Sequence, residues 1–474
     1  MVLKGCNNTV KGICSVVSAL FIILITGSLV TFPNLIKHYE IFSEGKIVGN
    51  KLFFITPAGL FAFNLLSSIS GFLDEKLGTR ILYIISSVLL LGSQLLIYFF
   101  KIYWILLIAY IIFGMANSLT KIPSLKNCWK YFPEQKGMIS GIILSAFGLA
   151  AFVFTSIADG VIKSDPKDKQ KEEGFELYLI IFMLCIILAG VISGVLCFPY
   201  KKLDQYIEGM PLIPEGENKD ESPNGEKKTS EEPKNETKIE EKKKDEKTLR
   251  QTICSKDFGL CLTIDVCTLI FGFLLTNTYR RFGDISFSDK KDTIKTLSKA
   301  FTLLNTFSRI IWGFVADRVK FKILYSIACS IQIICGATIY FSSFNIVTYY
   351  IVTLVAILSY AGHVVLFPTL INTKFGVDKS VYLYGICGIF SGIAALIGPI
   401  LTIFILSKAE RERYLLIYLV GVAPTIASLI ITIIIKVEPK PKEDPINNFV
   451  DDHYYDDVEE PEDEKEAPTE LEIN

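Results

Sequence analysis

Long apolar runs separated by short polar stretches cover most of this chain. Each run holds about 20 residues, the length that an α-helix needs to cross the roughly 30 Å hydrocarbon core of a bilayer. The runs are continuous and lack the alternation of a membrane-spanning β-strand, so we predict helices. We place six spans in the first half, near Gly12–Lys37, Leu52–Phe72, Ile81–Phe100, Trp104–Leu119, Gly137–Ile157 and Leu177–Phe198. Six more follow in the second half, near Phe258–Thr276, Thr296–Ala316, Ile323–Phe341, Ile346–Phe367, Val381–Leu406 and Tyr414–Ile435.

Two long polar stretches divide the chain further. Between the two sets of spans, Lys201–Lys256 is dominated by Lys, Glu, Asp, Pro and Asn and cannot build a core, which predicts a disordered cytoplasmic linker. From Glu438 onward the chain is strongly acidic, which predicts a solvated tail. We therefore predict an all-α membrane protein with an N-terminal six-helix bundle at 1–200, the linker at 201–256, a C-terminal six-helix bundle at 257–437 and an acidic disordered tail at 438–474.

The composition agrees with a protein that crosses a bilayer many times. Of the 474 residues, 51% are hydrophobic, and the 20% that are charged crowd into the polar stretches. The eleven cysteines lie mostly in apolar runs without a C-x-x-C pair, so we interpret them as small buried residues. We find no nucleophile–base pairing, metal-ligand spacing or phosphate loop, and the three histidines are widely separated. We therefore predict that the protein is not an enzyme and that it has no metal site, no cofactor and no nucleic-acid partner.

A charged turn repeats in the two halves. Gly71–Arg80 follows the second span and Gly313–Lys322 follows the eighth, the equivalent place in the other set, so we predict that the halves are duplicates. A glycine at a helix end permits close helix approach, and an acid and bases on a short turn can pair with neighbouring helix ends. We predict that these turns form a latch that holds one closed state, with Gly71, Glu75, Lys76, Arg80, Gly313, Asp317 and Arg318 as its residues.

At these turns the sequence resembles the major facilitator superfamily. Its loop motif is Gly, three residues, Asp, Arg or Lys, any residue, Gly, then two basic residues. The second copy keeps Asp317 and Arg318 but has Lys320 in place of the glycine, and the first copy has Glu75 in place of the aspartate. The resemblance implies a twelve-helix fold in two pseudo-repeats and secondary active transport by alternating access.

A narrower resemblance lies at the start of the fifth span. Lys130–Gly141 resembles the corresponding segment of the oxalate:formate antiporter and monocarboxylate transporter branch. Three further pairs, Phe375-Gly376, Tyr384-Gly385 and Gly398-Pro399, resemble that branch's eleventh helix. In those families an arginine at one position of the eighth helix binds the substrate carboxylate. The resemblance carries this role to Arg309, whose planar fork of N–H donors suits a carboxylate. An arginine within a span costs about 2.5 to 3.5 kcal/mol on insertion scales, so it faces a cavity or a partner.

The chain also departs from that branch. Oxalate-type members carry a second cation in the eleventh helix, where this chain has Ser391, which argues against a dicarboxylate clamp. Proton-linked monocarboxylate carriers place an aspartate four residues before the arginine, where this chain has Asn305. Arg309 could instead pair permanently with Asp265 or with backbone carbonyls.

Further polar residues lie within the spans. We predict Asn64, Asn305 and Ser391 as substrate contacts besides Arg309. Asp265 and His363 are proton-coupling candidates, with a helix-end aspartate and a packed core histidine as the alternatives. Lys121 either attracts anions toward the cavity or is an interfacial lysine that reaches the membrane surface.

The leading hypothesis is a monomeric secondary carrier of small organic anions, either a symporter or an antiporter that also moves a proton or counter-anion. The alternatives are a carrier of another polar solute, such as amino acids, and a non-transporting membrane sensor or scaffold. We expect residence in the plasma membrane with both termini in the cytoplasm. The basic residues of the loops do not decide the orientation, which therefore rests on the loop motif.

Overall fold

Helices make up almost all of the computed structural model, which describes residues 8–44, 52, 54–164, 172–200, 249–405 and 411–435. Most of the predicted linker and the whole of the predicted tail lie outside these residues. The first set contains α1 (Asn8–Gly27), α2 (Phe32–Phe42), α3 (Ile55–Leu77), α4 (Thr79–Phe99), α5 (Tyr103–Tyr131), α6 (Lys136–Val161) and α7 (Phe175–Leu196). The second set contains α8 (Leu249–Ile253), α9 (Lys256–Ser286), α10 (Lys291–Ala316), α11 (Phe321–Ser342), α12 (Ile346–Phe375), α13 (Val377–Ile405) and α14 (Arg413–Ile434).

Two small elements connect the long helices. A single turn of 3-10 helix at Ser28–Thr31 joins α1 to α2, so that these two helices form one continuous span. Between α6 and α7, the two-residue strands β1 (Lys163–Ser164) and β2 (Glu172–Glu173) pair antiparallel. The predicted helical fold class is confirmed, and this short ladder is a local feature of one connection.

Eleven of the described spans are long and apolar enough to cross a membrane. The remaining long helix is α10, which has 26 residues but carries Lys299, Asn305 and Arg309 along its length. It packs against α6 and α12 and completes the second set of six. The least apolar helix of the bundle is therefore the one that holds the arginine singled out in the sequence.

The α5 helix extends well beyond the span predicted for it. It continues past Leu119 to Tyr131, and residues 122–129 are buried although they include Ser124, Lys126 and Asn127. The Nδ2 of Asn127 donates a 3.0 Å hydrogen bond to the Phe198 carbonyl, and its Oδ1 accepts one of 2.8 Å from the Tyr200 N–H. Hydropathy alone ends the helix too early because these polar side chains find partners in the fold.

The two repeated turns follow different backbone paths. Gly78 has a φ of 81°, which favours glycine, and it joins α3 directly to α4. In the second copy, residues 317–320 form a longer turn between α10 and α11, and Lys320 has a φ of −57°. The second turn therefore needs no glycine at this position, which explains the departure from the loop motif.

Each half has its own apolar core, and glycines let helices cross closely within it. In the N-terminal half, α3 crosses α5 where Gly59 meets Gly114. A Cβ at Gly114 would collide with the carbonyl oxygen of Gly59, whereas a Cβ at Gly92 in α4 would meet nothing within 4 Å. The crossing requires glycine at position 114, because the obstacle is backbone that cannot turn aside.

We expect Gly114→Ala to lower the free energy of unfolding by about 1 to 3 kcal/mol, because the added methyl group forces two backbones apart. The measurement is thermal unfolding of the purified full chain in detergent. Gly92→Ala is the matched control and should be neutral or slightly stabilising. Equal melting temperatures for the two variants would contradict this account of the crossing.

Candidate functional site

The two halves meet where α6 crosses α10. A Cβ at Gly137 would lie 2.6 Å from the Gly313 carbonyl oxygen, and one at Gly148 would lie 2.9 Å from Thr306 Oγ1. A Cβ at Gly141 would collide with the Arg309 carbonyl oxygen. These glycines lie on one face of α6 and allow backbone contact with α10.

Arg309 lies at this crossing, about two turns before the end of α10. Its side chain is almost completely buried, with 6% of the residue exposed. Its Nη1 donates a 2.6 Å hydrogen bond to the Leu144 carbonyl of α6, and its Nε–H is buried without a partner. Among the described residues, no carboxylate lies within 4.0 Å of the guanidinium. The arginine therefore enters the interface between the halves without a permanent counter-ion in the described chain.

Asp265 of α9 lies in the same buried region. Its carboxylate accepts a 2.8 Å hydrogen bond from Ser391 Oγ of α13. Tyr360 of α12 and Tyr384 of α13 are close enough to interact electrostatically with both Asp265 and Arg309. The fold thus brings Arg309, Asp265 and Ser391 together around two tyrosines that the sequence analysis did not assign to the site.

Lys121 joins this group from the N-terminal half. Its Nζ lies 5.2 Å from the ring centroid of Phe63 and 5.0 Å from that of Tyr384. It is close enough to interact electrostatically with Asp265 and Arg309. We define the central cluster as Lys121, Asp265, Arg309, Tyr360, Tyr384 and Ser391.

The two predicted asparagines differ in what their side chains contact. Asn64 is buried, and its Nδ2 donates a 2.9 Å hydrogen bond to the Leu60 carbonyl of its own helix. Asn64 packs against Gly388 and Gly392 of α13, so it belongs to the contact between α3 and α13. Asn305, one turn before Arg309, has a buried Oδ1 without a hydrogen-bond partner.

His363, the other proton-coupling candidate, packs against an aromatic ring of the C-terminal half. It is 1% exposed, and both of its ring nitrogens lack a hydrogen-bond partner. Its ring packs edge-on against Tyr325 at 4.6 Å, and Tyr325 pairs with Thr268 within the C-terminal half. This environment is that of a packed core side chain.

The charged turn after α10 contacts the other half directly. Asp317 accepts hydrogen bonds from the backbone N–H groups of Gly137, at 2.7 Å, and Met138, at 2.8 Å, in the first turn of α6. A carboxylate at the N-terminus of a helix satisfies free N–H groups and complements the helix dipole. Partial burial raises the pKa of Asp317 despite these bonds and the nearby Arg318.

The turn after α3 makes the equivalent contact with α13. Glu75 accepts a hydrogen bond from Tyr382 Oη across the interface. Lys126, buried in α5, lies 3.3 Å from Glu75 and 3.2 Å from Asp74, so it holds both acids. A Cβ at Gly71 would lie 2.5 Å from Val381 Cγ1, so the glycine permits this approach.

The remaining predicted latch residues stay within their own halves. Lys76 lies over the Phe72 ring at 4.4 Å, and the Nε of Arg80 donates a 2.9 Å hydrogen bond to the Cys197 carbonyl. Arg318 lies over the Phe314 ring at 3.5 Å on the helix it follows. Contact between the halves therefore depends on the acids and glycines of the repeated turns, with the bases arranged around them.

Known proteins resemble this architecture over most of its length. A profile of the Major Facilitator Superfamily matches residues 17–399. The chain belongs to the Major Facilitator Superfamily. An uncharacterized MFS-type transporter, YhjX of Escherichia coli K12, is 22% identical over 347 residues, which are 71% of this chain and 76% of that protein.

A solved structure shares the fold. The proton:xylose symporter XylE, bound to 6-bromo-6-deoxy-D-glucose, matches with a TM-score of 0.61 and 11% sequence identity, over 87% of this chain and 94% of that one. At this identity the likeness shows the fold alone. The superfamily predicted from the two turns is confirmed, and with it a multi-pass membrane transporter with a small-molecule substrate. The narrower branch rests on sequence resemblance.

Several residues of these sites were missed from the sequence. Asp74 directly precedes Glu75, and Lys126 follows the predicted end of its span, so their positions in the sequence indicate loop residues. Tyr384 lies in a segment that resembles the monocarboxylate branch, and this resemblance was the sequence feature that could have identified it. No sequence feature marked Tyr360, because an aromatic residue in an apolar span is most often part of the core.

We expect Asp317→Asn to separate the two halves at the end of the bundle that carries the repeated turns. Asparagine keeps one acceptor oxygen but loses the charge that binds the α6 N-terminus. A loss of about 1 to 2 kcal/mol corresponds to a roughly fivefold to thirtyfold smaller closed population. The measurement is the distance between spin labels at positions 77 and 320. In the parent protein, acidification through the raised pKa of Asp317 should act in the same direction.

Asp292→Asn is the control for this prediction, because Asp292 is an exposed aspartate at the other end of α10. It should leave the distance distribution unchanged. A distribution that Asp317→Asn does not alter would show that these hydrogen bonds do not hold the halves together.

Proposed function

We propose that this chain is a secondary active transporter of small organic anions, of the monocarboxylate type, that works by alternating access. The observation that carries the proposal is the buried guanidinium of Arg309, which lacks a carboxylate partner in the described chain. A buried cation without a counter-ion is costly, and a visiting carboxylate would supply two acceptor oxygens for its fork.

The surroundings of Arg309 support a ligand of this kind. Removal of water strengthens electrostatic attraction, and the tyrosines beside the guanidinium offer hydroxyl donors to an anion. Arg309 contacts Leu144 of the other half, so a ligand bound there would sense the separation of the halves. A ligand that binds one arrangement better shifts the population toward it, as alternating access requires.

Proton coupling is the second part of the proposal. Asp265 is better placed than His363, because it belongs to the central cluster while His363 packs inside the C-terminal half. The titratable or charged groups that lie close enough to affect Asp265 are Lys121, Cys261, Tyr325, Tyr360, Tyr384 and Cys387.

The proposal also includes a functional monomer in the plasma membrane, with both termini in the cytoplasm.

One observation favours a second cargo class, the amino acids. A zwitterion could place its carboxylate on Arg309 and its ammonium on Asp265, which lie in one cluster. Asp265, however, already accepts from Ser391 and has Lys121 nearby. The sensor or scaffold alternative rests on the linker and the tail, which lie almost wholly outside the described residues.

We expect Arg309→Gln to reduce carboxylate uptake about tenfold to a hundredfold, the equivalent of a lost charge-assisted hydrogen bond. The measurement is uptake of radiolabelled lactate, pyruvate, formate and oxalate into proteoliposomes, with amino acids as competitors. Lys299→Gln, an exposed cation on the same helix, is the control and should transport normally. Unchanged uptake in Arg309→Gln would reject the anion-binding role, and competition by amino acids alone would favour the second cargo.

We expect Asp265→Asn to flatten the pH dependence of uptake, because it removes the group that takes up the proton. The measurement is the initial rate of uptake between pH 5.5 and pH 8, roughly the range over which a shifted carboxyl group or a histidine titrates. His363→Asn should keep the parent pH profile, with thermal unfolding as a check on folding. A flat profile in His363→Asn and a normal one in Asp265→Asn would reverse the assignment.

A further inference from the structure

We infer that Lys121 is a second substrate-binding residue, which holds the anion from the N-terminal half while Arg309 holds it from the C-terminal half, and that Asp265 adjusts the site to select a monoanion. This inference rests on the proposed transport of organic anions. It adds a binding residue that the sequence resemblance does not provide.

The position of Lys121 along α5 favours a place inside the bundle over the interfacial interpretation. It lies ten residues before Tyr131, where α5 ends, which is about 15 Å along the helix axis. Residues 122–129 between them are all buried. A lysine side chain is too short to reach the end of α5, and the Nζ of this half-buried residue lies near the rings of Phe63 and Tyr384.

The contacts of Lys121 leave its charge unbalanced. No carboxylate of the described chain lies within 4.0 Å of its Nζ. The Nζ lies between the rings of Phe63 and Tyr384, whose faces attract a cation but do not neutralise it. Lys126, five residues later, shows the contrast, because it is bound by two acids.

Tyr384 links the two cations. Its ring lies 5.0 Å from Lys121 Nζ, and it also lies close enough to Arg309 to interact electrostatically. An anion beside the Tyr384 ring would be attracted by both cations. Because Lys121 and Arg309 belong to opposite halves, such an anion would draw the halves together around itself.

Counting charges in the central cluster indicates the class of anion. When Asp265 is ionised, Lys121 and Arg309 contribute two positive charges and Asp265 one negative charge, which leaves a net charge of one positive. A monocarboxylate neutralises this site, whereas a dicarboxylate leaves an extra negative charge away from water. Removing the charge of Asp265 should shift the preference toward a dianion.

Isothermal titration calorimetry of the purified full-length protein tests the inference, with lactate and malonate as probes at pH 7.5. We expect Lys121→Gln to weaken lactate binding about tenfold to a hundredfold, and Lys121→Arg to retain most of it. Lys101→Gln, a partly exposed lysine just before α5, is the matched control and should bind as the parent does.

Asp265→Asn tests the charge count independently of whether Lys121→Gln folds. It should raise the affinity for malonate relative to lactate by about tenfold. The double variant Lys121→Gln with Asp265→Asn returns the net charge to one positive and should restore the preference for lactate.

The outcomes separate this inference from the proposed function. Parent-like lactate binding in Lys121→Gln, together with lost binding in Arg309→Gln, would overturn the role of Lys121 and leave anion transport standing. An unchanged preference in Asp265→Asn would overturn the charge count. If the parent protein binds neither carboxylate, both the inference and the proposed function fail.

Discussion

The backbone contact between α6 and α10 is the constraint on which the rest of the structure depends. Gly137, Gly141 and Gly148 remove the side chains that would hold the two helices apart. Two consequences follow from this approach. Arg309 reaches the Leu144 carbonyl of the opposite half, and Asp317 reaches the N-terminus of α6. The same crossing therefore joins the halves at the turn after α10 and places the cation of Arg309 between them.

Charged residues are partnered differently at the repeated turns and in the central cluster. At the repeated turns, Asp317 and Lys126 have protein partners, and their charges are largely satisfied within the fold. In the central cluster, Arg309 and Lys121 are surrounded by tyrosines and helix backbone. Satisfied charges make stable contacts between helices. Cations without a carboxylate partner favour a mobile counter-ion, which is the basis of the proposed binding of an anionic substrate.

The duplicated halves have kept the geometry of their contact while changing its chemistry. Asp317 binds backbone N–H groups, whereas Glu75 binds the hydroxyl of Tyr382 and is held by Lys126. The glycine of the loop motif is needed only where Gly78 joins two helices directly. A longer second turn makes that glycine unnecessary, so an imperfect motif still builds an equivalent interface.

The sequence by itself determined the helical membrane fold and the duplication, and it singled out Arg309 as a candidate, because a bilayer tolerates only internally bonded spans and few buried charges. It did not determine which helix faces meet. Ser391 and Asp265 are 126 residues apart, and Gly137 and Asp317 are 180 apart. Only tertiary packing brought Lys121 into the central cluster, packed His363 against Tyr325 and placed Asn64 against α13, because such contacts depend on how distant helices cross.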